Sequence, residues 1–108
     1  MDTLRRTLRA YALWQAAFDE RVETVTGDLS APEFGLAPAA LDALAQRVDA
    51  IYHCAAEVNW VLPYESLRAV NVLGTRELLR LACTGRAKAF HFVSSAAVCY
   101  STVGPSVV

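Results

Sequence analysis

Residues 50–56 read AIYHCAA, a nearly unbroken apolar run that is too short for a helix and has the character of a strand buried on both faces. Pro63 then opens a helical stretch whose stripe runs Leu67, Val70, Asn71, Gly74, Leu78, Leu81 and Ala82 and stops at Gly85. Residues 89–94, AFHFVS, supply a second strand rich in aromatic and β-branched side chains. Two strands joined through a helix of this length pair in parallel, because a hairpin cannot connect them and the crossover must pass over one face of the sheet.

The same alternation extends towards the N-terminus. Pro38 fits the first turn of a helix with Leu41, Leu44 and Val48 as its apolar stripe, ending near Asp49. Before it, Arg21 to Thr26 places Val22 and Val25 in alternation and stops at Gly27-Asp28, as a short strand would. Leu4, Leu8, Tyr11, Trp14 and Phe18 lie at helical spacing and predict one amphipathic helix from Thr3 to Glu20. Three strands alternating with three helices make an α/β protein with a doubly wound parallel sheet, read here as one domain over residues 1–108.

Composition narrows the function. Ten basic against eleven acidic residues leave no electrostatic footprint for nucleic acid or an anionic membrane. Cys54, Cys83 and Cys99 are an odd count without a C-x-x-C spacing, which argues against a disulfide framework or a zinc site and for a reducing compartment. With no apolar run long enough to span a bilayer and no signal-peptide pattern, the expectation is a soluble cytoplasmic protein.

In doubly wound sheets ligands bind beyond the carboxyl ends of the strands. Those positions hold Asp28, Ala55 to Trp60 and Ser94 to Ala97. A carboxylate at Asp28 can accept a hydrogen bond from an exocyclic amine, although aspartate is also common in turns. Ala55 and Ala56 are small enough for backbone to approach a ligand. Asn71 places a carboxamide on an apolar stripe, costing roughly 1–3 kcal/mol unless it is paired. Gly74, on the same face, costs about 1 kcal/mol of helix propensity and makes sense where helix and sheet pack closely. Ser94 and Ser95 offer hydroxyls above the sheet edge. His53 and His91 have no carboxylate near them in the pattern and read as packed residues, with no metal expected.

Four segments together resemble the thioester reductase domains of nonribosomal peptide and polyketide synthetases and of carboxylic acid reductases, extended short-chain reductases with a Rossmann-type fold. They are VTGDLSAPEFGL (25–36), VDAIYHCAAEVNWVLPY (48–64), LRAVNVLGTRELLRLA (67–82) and FHFVSSAAV (90–98). The resemblance implies NADPH as cofactor, with Asp28 and Leu29 at its adenine, Ala55 and Ala56 near its riboses, and Ser94 beside it. It implies Ser95 as the hydroxyl of a Ser/Thr-Tyr-Lys catalytic set, with Ser94 as the fallback, and Asn71 as the brace of the helix behind it. Asn59 and Trp60 fall on the acyl side. The implied partner is a carrier protein whose phosphopantetheine arm presents an acyl thioester, reduced to an aldehyde or alcohol.

Two family elements are missing. The glycines at 27, 35, 74, 85 and 104 form no G-x-x-G-x-x-G loop, and neither Lys88 nor Tyr100 belongs to a Tyr-x-x-x-Lys pair. The expectation is therefore a partial domain whose three strands are the third, fourth and fifth of the sheet, inactive alone and open to self-association through unpaired edges. A sugar epimerase or dehydratase fragment of the same superfamily, or a non-catalytic remnant, would share most of these signals.

Overall fold

A computed structural model describes residues 2–99. Its centre is the predicted strand–helix–strand unit. β1 (Ala50–His53) and β2 (Ala89–Phe92) pair in parallel, with Ala50 opposite Ala89 and His53 opposite Phe92. The crossover between them consists of α4 and α5 with a segment of π-helix in between. α4 (Tyr64–Arg68) runs into the π segment (Ala69–Gly74), and α5 (Thr75–Cys83) carries the chain back to β2. Pro63 stands just outside the first turn, where its missing N–H leaves no helix bond unmade.

The core lies on one face of this pair. Ile51 packs with Leu81 and Ala82 of α5, with Ala45 of α3 (Pro38–Arg47) and with Phe34, while Leu29, Leu36, Leu41, Val48, Leu78 and Phe90 lean on the cluster. The opposite face is open. Tyr52 is 70% exposed and stacks on its cross-strand partner His91, with ring centroids 4.4 Å apart. The expectation that residues 50–56 are buried on both faces is therefore corrected: β1 alternates, because among the described residues only one layer of helices covers the sheet.

The expected strand at 21–26 is also corrected. Residues 22–28 carry no strand pairing, and the sheet has two strands among the described residues. A strand exists only through a partner's hydrogen bonds. In a 3-2-1-4-5 order the third strand would pair with the second, and no second strand is present beside it among the described residues. The unpaired segment borders a largely apolar cleft of about 260 Å³ whose lining includes Val25, Asp28, Leu29, Phe34, Leu44 and Leu78.

The single N-terminal helix expected over 3–20 is broken into α1 (Asp2–Ala10) and α2 (Phe18–Arg21). α1 ends in a Schellman pattern: Leu13 N–H donates to Leu8 C=O and Ala12 N–H to Arg9 C=O, with Ala12 at φ 54°. Trp14 then folds back under the guanidiniums of Arg5 and Arg9 and edge-on to Phe18, and Arg5 pairs with Asp19.

At the other end of the crossover, Lys88 is buried and its Nζ donates to the carbonyls of Thr84 and Arg86, 2.7 and 2.9 Å away. It closes the C-terminal end of α5, where unpaired carbonyls and the helix dipole favour a cation.

Gly74 is buried and has the tightest surroundings of the described glycines. A Cβ there would stand 2.7 Å from the Leu29 carbonyl oxygen and 3.2 Å from the Leu29 Cβ. The close contact that its place in the stripe predicts is real, but it is made with the loop after Gly27 rather than with a strand. Gly74→Ala is expected to lower the unfolding free energy by about 1–3 kcal/mol through overpacking, read as a drop in urea midpoint at unchanged slope. A neutral or stabilised variant, following helix propensity alone, would contradict the contact.

Candidate functional site at the carboxyl rim of the sheet

Asp28 opens a compact turn. Its carboxylate Oδ1 accepts from the Ser30 amide at 2.8 Å and the Ser30 hydroxyl at 2.6 Å, an Asx arrangement. Its own N–H donates to the Phe34 carbonyl at 2.9 Å, and its carbonyl accepts from Ala31. The chain returns through Glu33, Phe34 and Gly35, all three at positive φ (52°, 59° and 65°). Two non-glycine residues in that region cost roughly 1–2 kcal/mol each. The burial of Phe34 in the core and its bond to Asp28 offset that cost. The Ser30 hydroxyl first, and the Ser30 amide second, hold the Asp28 carboxyl below the usual aspartate range. Among the described residues Oδ2 has no partner, so the carboxylate keeps one oxygen open to a ligand amine.

Beyond β1, the exposed Ala55 and Ala56 lead to Glu57, whose backbone is gripped by Asn71. The Glu57 N–H donates to Asn71 Oδ1 at 2.8 Å, and Asn71 Nδ2 donates to the Glu57 carbonyl at 2.9 Å. The carboxamide on the apolar stripe is thus paired on both its atoms. One turn further along the same helix, Gly74 receives Leu29. A single helical segment therefore holds both the Asp28–Leu29 loop and the loop after β1.

Asn59 is occupied locally. Its Oδ1 accepts from the amides of Val61 and Leu62, 2.9 and 3.0 Å away, which shapes the turn before α4. Trp60, at its tip, is 94% exposed, with Val58 and Val61 exposed beside it. From β2, pairing continues to Val93, whose N–H donates to the His53 carbonyl at 3.0 Å. Ser94 and Ser95 follow at once, both exposed, and the Ser95 carbonyl accepts from Val98 in a short 3-10 turn (Ala96–Cys99). Because β1 and β2 are parallel, Ala55–Ala56 and Ser94–Ser95 leave the sheet at the same end. Tyr100 and Gly104 lie outside the described residues.

Residues 1–107 match the NAD-binding family described as male sterility protein. The chain belongs to that family. Relatives of this male sterility-type chain include proteins named as reductases and synthetases. The chain is 47% identical over 95 residues to the L-2-aminoadipate reductase large subunit of Penicillium chrysogenum, covering 88% of this chain and 7% of that protein. It is 49% identical over 92 residues to a linear gramicidin synthase of Brevibacillus parabrevis, covering 85% of this chain and 2% of that protein. Glycine betaine reductase ATRR of Emericella nidulans is 56% identical over 84 residues, 78% of this chain and 7% of that protein. The crystal structure of the terminal R domain from the myxalamid PKS-NRPS biosynthetic pathway superposes with a TM-score of 0.83 at 46% identity, over 90% of this chain and 25% of that one. The male sterility-type chain thus shares a Rossmann-like fold with an R domain and spans only a small part of these relatives.

Within the family member, two hydrogen-bonded features had no mark in the sequence pattern. His53, 3% exposed, places Nε2 2.9 Å from the Thr75 hydroxyl. Thr75 in turn donates to the Asn71 carbonyl at 2.7 Å. In the sequence, His53 reads as a packed residue and Thr75 as the threonine four residues after Asn71 in NVLGT, without a sign that the two are bonded.

The depressed titration of Asp28 has a definite sign. A carboxylate favoured in the folded state stabilises its turn above the ordinary aspartate pKa, and that contribution disappears as pH falls through the folded value. Following the Asp28 carboxyl carbon by NMR should give a midpoint below the ordinary value of about 3.9, moving up towards it in Ser30→Ala. An unchanged midpoint in Ser30→Ala would rule out the Ser30 hydroxyl as the leading cause.

Proposed function

We propose that this chain is part of the nucleotide-binding core of an NADPH-dependent reductase whose substrate is an acyl thioester on the phosphopantetheine arm of a carrier protein. The observation that carries the reading is the shared bracket: one helical segment fixes the Asp28–Leu29 loop and the Ala55–Glu57 loop at the end of the sheet where Ser94 and Ser95 emerge. Membership of an NAD-binding family supports a nicotinamide cofactor, and the reductase and synthetase relatives support the thioester substrate.

In this reading the ionised Asp28 accepts a hydrogen bond from the adenine amine through Oδ2, and Leu29 lies against the base. The Ser30 hydroxyl and amide, which lower the Asp28 pKa, favour the charged acceptor. Ala55 and Ala56 leave room beside the riboses, and Ser94 lines the same path. The pyrophosphate cradle is assigned to residues outside 1–108, since the sequence has no glycine-rich loop. Bound NADPH supplies a hydride for the thioester carbon. The Ser95 hydroxyl donates to the thioester oxygen as negative charge develops there. Departure of the phosphopantetheine thiolate, with a proton taken from solvent, would leave an aldehyde, and a second NADPH with a further proton would reduce that aldehyde to an alcohol. Trp60 and the Nδ2 of Asn59 face the acyl portion, and Asn71 positions the loop that carries them. The reading places the enzyme in the cytoplasm; among the described residues no helix is long and apolar enough to cross a membrane. On its own, the chain would associate through the free edges of its two-stranded sheet.

The test uses the full-length gene product with NADPH and an acyl thioester on its carrier protein. Ser95→Ala should lower kcat by roughly 10²–10³-fold with little change in NADPH affinity. Asp28→Ala should weaken NADPH binding roughly tenfold with little change in kcat. Full turnover by Ser95→Ala, or conversion of a nucleotide sugar in place of the thioester, would overturn the proposal.

A further inference from the structure

His53 lies on the core face of β1, enclosed between the rings of Phe90 and Phe92 at centroid distances of 6.3 and 5.2 Å. A buried imidazole in such a setting needs a partner for its N–H, and Thr75 provides one at 2.9 Å. The direction of that bond follows from counting hydrogens. Thr75 has one hydroxyl hydrogen, and it goes to the Asn71 carbonyl at 2.7 Å. The hydroxyl oxygen must therefore accept, and His53 Nε2–H must donate. The imidazole tautomer is set by the helix it faces.

The bonds close a ring. From His53 the chain runs four residues to Glu57, whose backbone is held on both sides by the Asn71 carboxamide. From Asn71 the ring returns through Thr75 to His53. Asn71 and Gly74 sit within the π segment, and Thr75 begins the α-helix after it. Such π turns are rare, occur mostly as single-turn interruptions of α-helices, and are frequent at functional sites. We infer that His53 and Thr75 are positioning residues: their hydrogen bond holds the π turn, so that the Asn71 carboxamide meets Glu57 and fixes the course of residues 54–60. The His53 side chain is buried beneath the rim rather than exposed on it. The two residues act through Asn71 on the path of Ala55 and Ala56, and so on nucleotide affinity more than on the chemical step. Only that kinetic consequence rests on the proposed reductase function; the control of the loop does not.

Thr75→Val keeps the shape and removes the hydroxyl, whereas Thr75→Ser keeps the hydroxyl. In the full-length protein, hydrogen–deuterium exchange is compared between peptides covering residues 54–60 and 86–93. For Thr75→Val, exchange at 54–60 should rise roughly tenfold, the loss expected for one hydrogen bond, with 86–93 unchanged; Thr75→Ser should restore the original rate. The KM for NADPH should rise roughly tenfold in Thr75→Val with kcat within about twofold, and Ser should again restore it. If Thr75→Val does not fold, His53→Gln, whose amide can replace the Nε2–H donor, should exchange as the parent does, and the shorter His53→Asn should exchange faster at 54–60. Equal acceleration in both peptides, no acceleration at 54–60, or failure of Thr75→Ser to restore protection would overturn the inference. Local loss of protection without any NADPH-dependent turnover in the parent protein would support the positioning ring and count against the reductase reading.

Discussion

The site depends on the π segment Ala69–Gly74. A regular helix places side chains at fixed angles along one stripe; the π turn sets Asn71 against the backbone of Glu57 and Gly74 against Leu29. The two contacts differ in kind. The Asn71 carboxamide makes a two-way hydrogen bond with a peptide unit, while the Gly74 contact is a steric fit that a single methyl group would break. Both loops are thereby referred to one helical segment rather than to one another.

The parallel pairing of β1 and β2 gives that bracket its meaning. Because the strands run the same way, the segments after both of them open at one end, and the crossover helix covers the core face beneath. The uncovered face, with Tyr52 stacked on His91, shows what half of a two-layer sheet looks like when helices lie on one side of the described strands. Beside the rim, strain sits in the turn at Glu33 and Phe34, where backbone in the left-handed region is held by a buried ring and by the Asp28 amide. Strained backbone next to a candidate ligand contact fits the general tendency of binding sites to store it.

The elements fixed by local pattern were legible in the sequence: the strands read over 50–56 and 89–94, which end earlier at His53 and Phe92, the helix beginning at Pro38 and the crossover after Pro63. The two odd members of the crossover stripe, Asn71 and Gly74, announced themselves by their cost, and each has a contact that accounts for it. What was not legible depended on partners distant in the chain. Val22 to Thr26 has the alternation of a strand but lacks a neighbouring strand to bond among the described residues. Ala12 in a left-handed conformation broke a helix whose spacing continued unbroken. The π turn leaves apolar spacing nearly intact, so it cannot be seen in a stripe. Lys88 carried no motif, yet it closes a helix end from a buried position. Asn59 read as an acyl-side residue, and its oxygen shapes its own loop.

The most direct test of the account is a crystal structure of the full-length protein with NADPH bound. The account predicts adenine within hydrogen-bond reach of Asp28 Oδ2, the riboses passing Ala55 and Ala56, and both Asn71–Glu57 bonds intact beneath them. A nucleotide bound away from this rim, or a Glu57 peptide detached from Asn71 in the bound state, would contradict it.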